Sequence, residues 1–98
     1  MDQFTSALFR AMEEAESTLG VRQLRLRQTA EKYGGVSAAK YYITHGRASD
    51  GFDALAGKKH LELSMEALVT APSYHGLFTD EEVNACFSLL CGADYYRK

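Results

Sequence analysis

The middle of the chain carries the side chains best suited to binding chemistry. Residues 22–47 contain six basic residues and one acid, Glu31, whereas the stretches on either side are both acidic. Guanidinium and ammonium groups bind carboxylate or phosphate oxygens, and tyrosine and histidine add rings with polar edges. We therefore predict a basic binding surface in this segment. The residues predicted to form it are Arg22, Arg25, Arg27, Lys32, Lys40, Tyr41, His45 and Arg47.

An acidic protein partner is the leading hypothesis for this surface. Charge complementarity steers association and selects partners, and tyrosine is a frequent anchor at protein interfaces. This interpretation predicts a small non-catalytic adaptor or inhibitor rather than an enzyme. Small inhibitors of this kind are common in phages and mobile elements, so we expect an origin there. The candidate anchors are Tyr41, Tyr42, Tyr95 and Tyr96.

A DNA-binding protein is the alternative. Residues 24–43 resemble a helix-turn-helix, in which a small residue in the first helix precedes a turn glycine and a second helix. Ala30, Gly34 and Ser37 can fill these positions. The resemblance implies that residues 22–47 contact DNA, with arginines on phosphates and the second helix in a groove. A further alternative is that the basic segment meets the chain's own acidic helices.

Catalytic and metal-binding motifs are missing from the sequence. The patterns G-x-S-x-G and G-x-x-x-x-G-K-[ST] do not occur. His45, His60 and His75 lie fifteen residues apart, which is not ligand spacing, and Cys86 and Cys91 do not form C-x-x-C. We therefore predict no catalytic residue, no metal ion and no cofactor.

Length and composition predict a single domain spanning residues 1–98. The hydrophobic fraction of 46% and the charged fraction of 24% are those of a globular protein and exclude a disordered chain. No stretch approaches the roughly 18 apolar residues that a membrane-spanning helix needs. Two cysteines are too few for a disulfide framework, so we expect a cytoplasmic protein.

Hydrophobic periodicity predicts an all-α fold, a compact bundle of five or six short helices. In the second helix, Leu24 and Tyr33 are expected to lie inward with Leu26 and Ala30. The alternating stretch near 60–64 allows one short extended segment. The predicted helices cover residues 4–19, 21–33, 38–45, 65–71 and 78–91, with a further turn or two before Gly57.

Polar residues at the predicted helix starts mark where the helices begin. The clearest start is at Thr79 and Glu82, which fit the capping box. Ser37 is expected to cap the third helix, and Ser49 or Asp50 the short helix that follows it. The apolar stripe expected on the last helix consists of Val83, Cys86, Phe87 and Leu90.

Overall fold

The computed structural model of the chain describes residues 2–93, and this range consists of helices and the segments that connect them, without a strand. The all-α prediction is confirmed. The predicted anchors Tyr95 and Tyr96 lie outside the described residues. The six α-helices in this range are α1 (Gln3–Leu19), α2 (Leu24–Tyr33), α3 (Gly35–Thr44), α4 (Phe52–Gly57), α5 (Met65–Val69) and α6 (Asp80–Gly92). Two 3₁₀-helices cover Leu61–Leu63 and Pro72–Leu77.

Helix α3 is the central element, with α1, α2, α5 and α6 packed around it. Its small residues Ala38 and Ala39 are fully buried, so neighbouring helices can approach the α3 backbone closely. Helix α1 contributes a stripe spaced at helical intervals, consisting of Phe4, Leu8, Met12 and Ala15. Residues of α1, α2, α3, α5 and α6 form the larger of two hydrophobic clusters. The smaller cluster joins the end of α1 to α4 and the C-terminal half of α6.

The connection between α2 and α3 is a single residue, Gly34. Its φ of 91° lies in the region that favours glycine. The next residue, Gly35, begins α3 and lies against α1: a Cβ there would be 2.9 Å from the Cα of Thr5. The Gly35 amide also donates to the Thr5 hydroxyl at 2.9 Å. The prediction that Ser37 caps α3 is therefore wrong, because the helix starts two residues earlier.

The extended segment allowed near 60–64 is instead a 3₁₀ turn, Leu61–Leu63. The turn satisfies its own backbone: the Leu63 amide donates to His60 and the Ser64 amide donates to Leu61. No strand partner is then required. Ser64 caps α5, since its hydroxyl accepts from the Ala67 amide at 3.1 Å.

Helix α6 confirms the predicted capping box. The Glu82 amide donates to the Thr79 hydroxyl at 3.2 Å, and the Thr79 amide donates to the Glu82 carboxylate at 2.8 Å. Cys86 and Leu90 are buried as predicted. Phe87 is 48% exposed, so its predicted place on the buried stripe is wrong. Within residues 2–93 no helix has the length and apolarity needed to span a membrane.

Candidate partner-binding groove

Helices α2 and α3 pack side by side. An open groove of about 410 Å³ is lined by residues of both helices and by Arg47. We call it the α2–α3 groove. Its lining includes two arginines and three tyrosines and no acidic residue. The residues that line it are Arg25, Gln28, Thr29, Tyr33, Tyr41, Tyr42 and Arg47.

The burial pattern of α2 explains why these side chains face outward. Only Leu26 and Ala30, one turn apart, are buried on α2. Leu24 and Tyr33 are 58% and 60% exposed, so the prediction that they lie inward is wrong. The reason is that α2 packs chiefly against one neighbour, α3, and a helix with one neighbour buries a narrow stripe. Tyr33 is thereby placed in the groove, a position that the hydrophobic pattern did not predict.

Asp50 holds the two helices of the groove together. One carboxylate oxygen accepts from the backbone amides of Arg25 and Leu26, at 2.5 and 3.0 Å. The other accepts from the Tyr42 hydroxyl at 2.6 Å. A carboxylate at the N-terminus of α2 also faces the positive end of the helix dipole. Asp50 does not cap the helix that follows it: α4 begins at Phe52, its N-cap residue is Gly51, and no side chain forms a capping bond there.

The bond to Asp50 also fixes the role of Tyr42. Burial first, and then the hydrogen bond to the carboxylate, raise the pKa of Tyr42 above its ordinary value. The phenol therefore stays protonated and remains a donor. The three donors hold the Asp50 carboxylate against the α2 backbone and Tyr42, and within residues 2–93 it forms no ion pair with an arginine.

Two further predicted residues border the groove. The His45 ring lies 4.3 Å from the Tyr41 ring between centroids, and its Nδ1 is 2.8 Å from the Tyr41 carbonyl oxygen. The Lys32 ammonium lies 5.2 Å from the centroid of the Tyr33 ring, within cation–π distance. Lys32 and His45 thus flank the exposed tyrosines.

Three predicted residues lie elsewhere. The Lys40 ammonium pairs with Glu82 of α6 at 2.7 Å and lies over the Phe78 ring. Arg22 approaches Glu16 of α1 at 3.7 Å, with both side chains exposed. Arg27 lines a different cleft, between α1 and α2, together with several acidic residues. Lys40 and Arg22 therefore contact acidic residues of the chain's own helices, which was the further alternative for the basic segment.

Unlike Lys40, Arg25 and Arg47 are not engaged by an acidic residue of the described chain. Within residues 2–93, neither guanidinium forms an ion pair or a side-chain hydrogen bond. A guanidinium presents a planar set of donors that matches a carboxylate or a phosphate. Tyr41, which is 51% exposed, supplies a flat apolar face with a polar edge beside them. The groove is thus suited to an anionic group attached to an apolar or aromatic one.

The geometry of α2 and α3 differs from that of a helix-turn-helix. That motif has a turn of about three or four residues and a second helix free to enter the DNA groove. Here one residue, Gly34, separates the helices. Helix α3 is enclosed by four other helices, and its buried side includes Ala38, Ala39 and Tyr42.

The structure also bears on metal ligands and on the reactivity of a cysteine. Among the side chains that it describes within residues 2–93, no three of His, Cys, Asp or Glu are placed to hold a metal ion. Cys86 is buried, and burial, aided by the charges of Glu66 and Glu82, raises the pKa of its thiol to about 12. A thiol in that state is a poor nucleophile.

The chain was compared with family models, with curated proteins and with solved structures, and none of the three comparisons gave a match.

Proposed function

We propose that the protein is a non-catalytic binding module whose α2–α3 groove contacts an acidic segment of a partner protein. One observation carries this proposal: Arg25 and Arg47 line the same groove as Tyr33 and Tyr41, and neither arginine is paired within residues 2–93. Arginine and tyrosine are enriched among the residues that dominate binding energy at protein interfaces. An adaptor or an inhibitor acting in the cytoplasm is the role that we infer from such a module.

Charge supports a protein over a nucleic acid as the partner. The chain has a net charge of −2, and exposed carboxylates of α1, such as Glu13 and Glu14, would repel an extended polyanion. A short acidic segment needs only the local positive charge of the groove. The enclosed position of α3 supports the same choice, since the helix is not free to enter a DNA groove.

The test compares two charge-matched double variants in a quantitative pull-down from an extract of the source organism. R25Q/R47Q removes both groove cations, and R10Q/R22Q removes two exposed arginines outside the groove. We expect the same proteins to be enriched by the wild type and R10Q/R22Q. Their recovery by R25Q/R47Q should fall about tenfold or more, as expected for removal of interface hot spots.

Two outcomes would overturn the proposal. One is enrichment that persists with R25Q/R47Q, which would place the contact elsewhere on the molecule. The other is the absence of any reproducibly enriched protein. Loss of enrichment after nuclease treatment, together with retention on DNA that falls steeply as salt rises, would instead identify a nucleic-acid-binding protein.

A further inference from the structure

A second concave site lies on another side of α3, where the end of that helix meets α5 and α6. It is a partly open cavity of about 260 Å³. Its walls are largely apolar and include Ile43, Met65 and Leu89, while Arg47 and Ser88 lie at the rim. Protein interiors are close-packed, so an apolar space of this size lacks contacts that a ligand could supply.

The inner wall of the cavity contains one carboxyl group, that of Glu66. Its side chain is fully buried, and both oxygens are already engaged by Ser49, one by the backbone amide at 2.6 Å and the other by the hydroxyl at 2.7 Å. Glu66 is therefore not a free acceptor aimed at a ligand. Apart from this engaged carboxyl group, the body of a ligand would meet mainly apolar side chains.

The rim is positively charged, because Arg47 lies there. Its guanidinium forms no ion pair within residues 2–93. The neighbouring Ser88 hydroxyl is an exposed donor. A carboxylate at the rim would match the guanidinium through paired hydrogen bonds. A cationic head group would be repelled there.

We propose that this cavity binds a small amphiphile with an apolar body and a carboxylate head, such as a medium-chain or aromatic carboxylic acid. The volume supports this size class. An apolar cavity of about 150 Å³ accommodates benzene, and most drug-sized ligands occupy about 300 Å³ or more. A cavity of 260 Å³ therefore fits a body somewhat larger than one ring. The site shares Arg47 with the α2–α3 groove, but its other lining residues are different, and it does not depend on the proposed function.

The experiment titrates methyl-labelled protein with octanoate and, as a probe without the anionic head, with 1-octanol. Both are expected to shift the methyl signals of Met65 and Leu89 saturably. R47Q should weaken octanoate binding about tenfold and leave octanol binding within about twofold, since only the carboxylate uses the guanidinium. If Arg47 only supported the structure of the cavity, R47Q would weaken the binding of both probes. A selective loss of octanoate binding therefore shows that Arg47 contacts the carboxylate.

A filling variant tests the place of binding. Ala85 is an exposed residue of the cavity lining, so A85F should block both probes, whereas A54F, an exposed alanine of α4, should leave binding unchanged. S88F, at a second exposed rim position, replaces A85F if that variant does not fold. The proposal is overturned if octanoate gives no saturable shifts, if the filling variant still binds, or if R47Q weakens both probes equally.

Discussion

Helices α2 and α6 both begin with satisfied backbone amides, but the groups that satisfy them come from different distances along the chain. At α6, Thr79 and Glu82 cap the helix within its own first turn. At α2, the residue in the capping position, Gln23, forms no such bond. Asp50 accepts instead from the Arg25 and Leu26 amides, from more than twenty residues away.

This difference separates what local sequence encodes from what only the tertiary fold supplies. The α6 cap forms as soon as the helix forms, because all its partners are neighbours in sequence. The α2 cap forms only after the turn at Asp50 has docked on α2 and Tyr42. The start of α2, and with it the position of Arg25 in the groove, therefore depends on tertiary docking. Each of the following experiments tests one side of this comparison.

The largest effect is expected at the distant cap. D50A removes the acceptor for two α2 amides and for the Tyr42 hydroxyl, and should lower the free energy of unfolding by about 3 kcal/mol. Urea denaturation measures this loss. The control is D53A, an exposed acid of α4, which should change stability by less than about 0.5 kcal/mol. Equal losses in both variants would show that α2 does not depend on Asp50.

A second non-local carboxylate should make stability depend on pH. Burial raises the pKa of Glu66, although the hydrogen bonds from Ser49 act against it. The folded state therefore favours the protonated form of Glu66. Protonated Glu66 contributes its full stabilisation of the fold below pH 4.5, the ordinary pKa of a glutamate. This stabilisation is lost as the pH rises through the pKa of Glu66 in the folded state. The stability of the wild type relative to E66Q should thus fall with rising pH, by at most about 1.4 kcal/mol per pH unit.

The local cap provides a control of opposite sign for that measurement. Burial acts to raise the pKa of Glu82, but the hydrogen bonds from Lys40 and Thr79 prevail and lower it. Its stabilising contribution is present above the ordinary value and is lost as pH falls through the folded pKa. The wild type should therefore lose stability relative to E82Q on acidification. The same sign of pH dependence for E66Q and E82Q would contradict the assignment for Glu66.

A smaller loss is expected when the local cap itself is removed. T79A takes away the hydroxyl that accepts from the Glu82 amide and should cost about 1 kcal/mol of unfolding free energy. T79S keeps the hydroxyl and should restore most of it. T18A, an exposed threonine inside α1, is the matched control and should not destabilise. Thermal denaturation of the three variants is sufficient, and a T79A protein as stable as T18A would refute the capping role.

The smallest change, and the only stabilising one, is expected at Gln23. Its side chain is 4% exposed, and within the described chain neither its amide oxygen nor its amide nitrogen has a hydrogen-bond partner. Q23M keeps the length and flexibility of the side chain while removing both unsatisfied groups. We expect the unfolding free energy to rise by about 0.5–1 kcal/mol. The exposed Q28M is the control, and a loss of stability in Q23M would mean that the amide is satisfied after all.

The same distinction explains which structural features could be predicted from the sequence. The helices α1 and α6 were predicted within one or two residues, because periodicity and the Thr79 capping box are local signals. The roles of Asp50 and Glu66 were not predicted, since each acts on a segment distant in sequence. Asp50 was predicted as one of two candidate caps for the short helix that follows it, and it accepts its bonds from α2 and Tyr42 instead.

The candidate site was predictable to a similar degree. The charge pattern pointed to residues 22–47, and three of the eight predicted residues, Arg25, Tyr41 and Arg47, line the groove together. Charge alone could not separate them from Lys40, whose ion pair with Glu82 joins α3 to α6. Tyr33 was misassigned because apolar character suggests burial, and only the packing of α2 shows which of its sides is covered.

Arg47 lines both the α2–α3 groove and the cavity beside α6. A single guanidinium that neutralises an anion in one of these places is withdrawn from the other. If both proposals hold, thermodynamic linkage requires a carboxylate in the cavity and an acidic segment in the groove to weaken each other's binding by the same factor. Under the two proposals, a small carboxylic acid would therefore act as a negative regulator of partner binding, by competition for one side chain rather than by a change of fold.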